Sequence, residues 1–175
     1  MMTPTHAITG MFVLFILNSI VPEMFPFSGL LIILSLIFPM LPDLDGLWVE
    51  KMKDHHQTFT HAPLFWLGLS IILYLFVPIW IPILLLAQLA GHFIGDYLAG
   101  FSAGIAWLYP FNKKETSLFP LKKEMGDFPI FAKTKEDKEK RKKFNQEYYK
   151  QKKLLTIELI SGLLGIVFFV IGLIN

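Results

Sequence analysis

Three of the chain's five histidines fall within seven residues, His55-His56-Gln57-Thr58-Phe59-Thr60-His61, between two strongly apolar runs. Asp43 and Asp45 precede them in LPDLDG, His92 and Asp96 follow in GHFIGD, and His6 stands near the start. Imidazole and carboxylate are the donors of a divalent-metal site, and without any cysteine no thiolate competes as ligand or nucleophile. His6, His56, His61 and His92 with Asp43, Asp45 and Asp96 leave room for one or more ions; zinc fits best, and manganese or iron also suit these donors. A cation so held brings the pKa of water toward neutrality, and a second can stabilise a leaving oxygen, so the expected chemistry is metal-assisted hydrolysis. A spare carboxylate, Asp43 or Asp45, would act as base or orient a ligand histidine. No G-x-S-x-G elbow and no phosphate-cradling glycine loop offers another chemistry.

The spacings say what local structure must do. His92 and Asp96 are four apart, so one helix face presents both. Asp43 and Asp45 are two apart after a proline-stopped helix, and in an extended segment they point the same way. His56 and His61 are five apart, roughly 140° from each other on a continuous helix. They meet only if the chain bends between them, as a helix capped by Thr60 requires. Each piece also has a simpler reading: a hydrogen bond across one helical turn for His92 and Asp96, turn formation for the aspartates, a polar loop with a solvated His55, and a polar N-terminus for His6. Burial weighs against the simpler set, because an Asp within a bilayer costs ~2.5–3.5 kcal/mol unless partnered or hydrated. Asp96 lies inside LAQLAGHFIGDYLAG. A bound cation would compensate it.

The elements that must position these residues are apolar helices. The 175 residues are 54% hydrophobic with a mean hydropathy of +0.53, which excludes an ordinary soluble domain. Five stretches approach the ~20 apolar residues of a membrane helix: 7 to 22, 25 to 41, 62 to 77, 79 to 100 and 154 to 174. The expected architecture is all-α, a polytopic membrane bundle of about five spans with a cytoplasmic basic helical segment. It divides into a site domain over 1–111, the basic segment over 112–153 and a final membrane helix over 154–175. Pro39 and Pro42 stop the second span near Leu41, Pro63 fits the first turn of the third, and Pro78 and Pro82 mark the hairpin to the fourth.

Charge sets the expected orientation. Of 16 Lys and Arg, 14 fall between Lys113 and Lys153 with seven of the 14 acids. Basic loops stay cytoplasmic, which puts the N-terminus inside and every histidine at the inner membrane face. The start lacks a basic n-region, so a cleaved signal peptide is not expected. Glu136 with Lys140, and Glu139 with Lys143, have helical spacing; Phe144, Tyr148 and Leu155 are expected toward the membrane. The cations would attract anionic lipid, and no nucleic-acid module is recognisable.

LPDLDG, then HQTFTH, then GHFIGDYLAGFSAGIAWLYPF resemble the successive signatures of the YdjM-like (DUF457) membrane-bound metal-dependent hydrolases. Their pattern is an N-terminal His, a Leu-Pro-Asp-x-Asp turn, a His-Arg-Gly-x-Thr-His loop, and a His-x-x-x-Asp helix running to Gly-x-x-x-x-Pro-Phe. The resemblance covers residues 6 to about 111. It implies metal ligation by His6, Asp45, His56, His61, His92 and Asp96, catalytic roles for Asp43 and Asp45, and Thr60 as the motif threonine. His55 has no counterpart. Gln57 and Thr58 stand where the pattern has Arg and Gly, which removes a cation that Lys51, Lys53 or Lys113 would have to replace. The run Ala99 to Ser102 holds two extra residues. The His-x-x-x-acid helix is similar to that of zinc-dependent phospholipase C and P1 nuclease, and by that analogy the substrate is a phosphoester. A site at the inner interface would meet a phospholipid, a lipid-linked phosphate or a small phosphorylated substrate, with Tyr97, Phe101, Trp107, Tyr109 and Phe111 placed to line or anchor it. Two rivals remain open: a small ion or proton carrier, and a non-catalytic protein stapled by a structural metal.

Overall fold

The computed structural model describes residues 3–99, 104–118 and 126–174. Six helices carry the chain: α1 (Thr3–Ile20), α2 (Gly29–Ile37), α3 (Pro63–Tyr74), α4 (Trp80–Ala99), α5 (Lys135–Lys150) and α6 (Lys152–Ile174). Among the described residues there is no strand, only isolated bridges from Lys51 to Pro129 and from Ile105 to Thr116. The protein is all-helical.

Each apolar stretch becomes a helix, but not each becomes a span. At ~1.5 Å per residue a helix needs about 20 residues to cross ~30 Å of hydrocarbon. Trp80–Leu98 and Leu155–Ile174 meet that length and composition; Thr5–Ile20, Gly29–Met40 and Pro63–Tyr74 are shorter apolar helices. Proline sets these limits. Ser28 caps α2 by accepting from the Leu31 amide. After Ile37, Pro39 and Pro42 cannot supply amide hydrogens, and the chain tightens into 3-10 turns over Phe38–Met40 and Pro42–Leu47.

α1 is the hub. It packs along α6 and against α2 and α4, while α3 packs on α4. Two glycines permit the close approaches: a Cβ at Gly10 would lie 1.9 Å from the Ser35 carbonyl of α2, and one at Gly165 would lie 2.3 Å from the Ile8 carbonyl of α1. One apolar core gathers Met11, Leu14, Phe25, Leu31 and Leu84; a second gathers Trp66, Leu85, Leu89, Phe93 and Ile105.

The basic helix is anchored inward, contrary to the sequence expectation for its aromatics. Thr134 and Asp137 close a capping box at its start, and Lys140 pairs with Glu136 at 2.7 Å. Phe144 and Tyr148 do not face lipid. Phe144 packs on Phe128 at 5.3 Å, and the buried Tyr148 hydroxyl donates to Glu158 of α6 at 2.5 Å. Thr5 of α1 donates to the other oxygen of the same carboxylate. Glu158 is nearly buried, so the two hydroxyls satisfy a charge that would otherwise be costly there.

Candidate metal centre

The polar residues converge from five elements. α1 brings His6, and the turn after α2 brings Asp43 and Asp45. Two further 3-10 turns, Met52–Gln57 and Phe59–His61, bring His55, His56 and His61, while α4 brings His92 and Asp96. All of them are buried or nearly so except Asp43, which is partly exposed. His6 and Asp96, 90 residues apart, meet at 3.1 Å.

Two carboxylate oxygens form the foci. Asp96 Oδ2 is approached by the Nε2 atoms of His92 at 3.0 Å, His56 at 3.5 Å and His61 at 3.9 Å. Asp43 Oδ1 is approached by the Nε2 atoms of His55 at 3.2 Å, His61 at 3.6 Å and His92 at 4.0 Å. His61 and His92 therefore face both foci. Three sets of side chains bring their donor atoms within 4.8 Å of one another: His55, His56 and His61; His6, Asp43 and His92; and His61, His92 and Asp96.

The backbone fixes which imidazole nitrogen faces inward. His92 Nδ1 lies 2.7 Å from the Pro39 carbonyl, and His56 Nδ1 lies 3.2 Å from the Gly104 carbonyl. A carbonyl only accepts, so in each neutral ring Nδ1 carries the proton and Nε2 the lone pair. Gly104 is needed for this contact: its φ is +95°, and a Cβ there would lie 2.0 Å from the Thr116 carbonyl. His92 Nε2 then aims a lone pair at a carboxylate oxygen 3.0 Å away. Neither His92 Nε2 nor His61 Nε2 has a hydrogen-bond partner of acceptable geometry among the described residues. Two acceptors face to face repel each other unless a proton or a metal cation lies between them, and the chemistry of the donor set fits a divalent metal.

Asp45 takes a different place from Asp43. Its Oδ2 accepts from His61 Nδ1 at 3.0 Å and from the Thr58 hydroxyl at 2.7 Å, while its Oδ1 lies 2.6 Å from His55 Nδ1. It holds two imidazoles from behind and is absent from the three metal-capable sets. Burial pushes its carboxyl up, but hydrogen bonds with His55 and His61 outweigh this and hold it at about 2. Asp43 is likewise held far below the carboxylate range by His55 and His61, against the cost of burial. Burial lowers His55, yet the two aspartates win and raise it to about 9; the same contest raises His61. His56, with less compensation, is pushed well below its ordinary value by burial.

Several sequence expectations are revised by this geometry. Asp43 and Asp45 lie in a 3-10 turn rather than an extended strand, and they converge because His55 sits between them. Thr60 does not cap α3, whose N-cap is Ala62; its carbonyl instead accepts from Trp66 Nε1 at 2.6 Å, and its hydroxyl bonds that of Thr58 at 2.9 Å. Pro63 at the start of α3 lacks an amide hydrogen, which removes one of the donors a cap would satisfy. His55 belongs to the cluster instead of the solvent. Thr58, read from sequence as a departure from the family pattern, anchors Asp45. Glu158 was overlooked, although an acid inside LLTIELISGLLG raises the same burial objection as Asp96. Tyr97 packs edge-on against the partly exposed Trp107 at 6.2 Å, Phe111 is largely exposed, and Phe101 and the Ala99 to Ser102 run fall outside or at the limit of the described residues.

The fold and site thus define a helical bundle with two helices long and apolar enough to cross a membrane and a buried histidine–aspartate cluster that could hold a metal ion. The family model described as YdjM inner membrane protein matches residues 1–173, and the chain belongs to that family. No curated protein and no solved structure is significantly similar to it.

Proposed function

We propose that the chain is a metal-dependent hydrolase that cleaves a phosphoester, with a phospholipid or lipid-linked phosphate as substrate class, at the cytoplasmic face of the membrane. The observation that carries this reading is the pair of foci at Asp96 and Asp43, each approached by the Nε2 atoms of three imidazoles. Divalent cations bound there, zinc before manganese or iron, would supply Lewis acidity that acidifies water and draws charge from a phosphoryl oxygen. His6, His56, His61, His92, Asp43 and Asp96 would hold them, and the two foci leave room for two. Asp45 orients His55 and His61 from behind and so fixes the geometry of the site. Asp43, the most accessible of the three carboxylates, would position an incoming water beside the cation it helps to hold.

Membrane placement follows the same reading. The five apolar helices share one bilayer, the three short ones completing a bundle with the two long ones. The basic stretch from Lys113 to Lys153 keeps the N-terminus and the site cytoplasmic. Partial exposure at Asp43 favours a working site over a closed structural staple. The apolar core of Met11, Leu14 and Leu84, with no charged side chain in it, disfavours a carrier.

The experiment is elemental analysis and phosphodiester hydrolysis of the purified protein in lipid nanodiscs, with His92→Ala and Asp45→Ala alongside. Both variants are expected to accumulate in membranes, lose bound metal and lose hydrolysis. Full hydrolysis by metal-free wild type would overturn the proposal.

A further inference from the structure

Among the described residues the cluster is reached beside Asp43 and His55, and large apolar side chains border that place. Among the cluster's side chains, Asp43 at 12% and His55 at 11% exposure are the accessible ones; those of Asp45, His61, His92 and Asp96 are at 0–1%. Beside the exposed polar residues Glu50, Lys51 and Gln57, large apolar side chains are exposed around that opening. Leu44 is 46% exposed, Leu47 73%, Trp48 51% and Phe59 49%. They lie in or beside the 3-10 turns that carry Asp43, Asp45 and the histidine run. Contiguous exposed apolar surface is costly in water and marks a contact with protein or membrane.

The surface continues onto a helix of the bundle. The Trp48 and Phe59 rings stack at 5.9 Å with a 9° interplanar angle, Phe59 meets Phe65 of α3 edge-on at 5.1 Å, and Phe65 meets Trp66 at 5.2 Å. Beyond them α3 exposes Leu67, Ile71, Ile72 and Tyr74. Aromatic rings at the end of an apolar helix are the usual occupants of head-group depth. Beside Trp48 a cleft of about 400 Å³ is lined by Leu47, Glu50, Lys51, Phe131 and Lys133 among others; Lys51 pairs with Asp127 at 2.8 Å, and Lys133 is the second cation next to the apolar rim. That combination suits an anionic lipid head group above its acyl chains.

We infer that Leu44, Leu47, Trp48 and Phe59 form a rim immersed in the lipid interface, through which a membrane lipid reaches Asp43 and His55 laterally from the bilayer. This rests on the hydrolase reading and makes the lipid-borne phosphoester, not a free cytosolic phosphate, its substrate. The acyl chains remain beside α3 while the head group meets the cluster. The turns around the site thus act as a membrane-docking surface.

The chain has no cysteine, so single-cysteine variants carry one nitroxide each. Leu47→Cys and Phe59→Cys would be labelled in proteoliposomes of mixed zwitterionic and anionic phospholipid, with Leu163→Cys on exposed α6 as lipid reference and Lys142→Cys as aqueous reference. Expected is that the labels at 47 and 59 are relaxed by oxygen more than by a water-soluble nickel chelate, as at 163. Relaxation like that at 142, or shielding from both reagents as in a protein interface, would overturn the inference. In a second arm Leu47→Asp with Trp48→Asp, checked for retained metal, is compared on phospholipid vesicles and on a water-soluble aryl phosphodiester. The ratio of vesicle to soluble hydrolysis should fall roughly tenfold or more. An unchanged ratio would overturn lateral access. Wild type inactive on both substrates would overturn the hydrolase reading alone, and the label depths would still decide the docking.

Discussion

Helices α1 and α4 each carry two unlike regions. Toward one end Met11, Leu14 and Leu84 pack with Phe25 and Leu31 into an apolar core; toward the other His6, His92 and Asp96 meet the 3-10 turns. The apolar region is held by area removed from water, which is additive, non-directional and forgiving of small shape changes. The polar region is directional throughout, because each buried imidazole needs one nitrogen bonded to a named acceptor before the other can serve. The first region keeps helices together. The second fixes their ends to a fraction of an ångström, and repulsion among its acceptors is relieved only when a cation or proton arrives.

The comparison can be broken most sharply at the polar end. His61→Ala, which removes a ring facing both foci, is expected to reduce hydrolysis by a factor on the order of a thousand or more, with metal content falling in step; it is checked by elemental analysis and single-turnover assay. Removing metal by chelation should lower the midpoint of thermal unfolding, and readdition should restore it. At metal concentrations of ~100 times the dissociation constant the linkage contributes about 2.7 kcal/mol, measurable by differential scanning fluorimetry. Leu84→Ala tests the apolar end: a loss of about 2–5 kcal/mol in stability with unchanged metal stoichiometry separates the two regions, whereas loss of metal would merge them. Glu158→Gln, which weakens the acceptor held by Thr5 and Tyr148, should cost about 1–3 kcal/mol by the same assay. The smallest change is Gly29→Ala at the start of α2, where a Cβ meets nothing within 4 Å. A gain of roughly 0.4–1 kcal/mol is expected, with no effect on the site.

Legibility in the sequence followed the range of the physics. His92 and Asp96 could be paired from their spacing because a helix repeats locally, and the 3.0 Å approach of His92 Nε2 to Asp96 Oδ2 bears this out. Each apolar stretch could be located, although the prolines shortened three of them below a bilayer's thickness. The 42–61 segment is the least legible. Successive 3-10 turns have no extended hydrophobic period, so Asp43 and Asp45 looked like strand neighbours and His55 like a solvated residue. Thr60 looked like a helix cap, whereas its carbonyl takes the Trp66 indole.

The sequence by itself determined the donor chemistry, the absence of thiolate, the all-helical class and the membership of an inner-membrane family. These depend on composition and on patterns within one element. Only the tertiary structure decided that His55 joins the cluster, that Asp45 stands behind two imidazoles, and that His61 and His92 face two foci at once. Those outcomes depend on which ring nitrogen meets a backbone carbonyl brought from another segment, as Gly104 is brought to His56 and Pro39 to His92. A hydrogen bond of about 3 Å discriminates between two nitrogens of one ring, and only the assembled packing of distant segments fixes positions that finely.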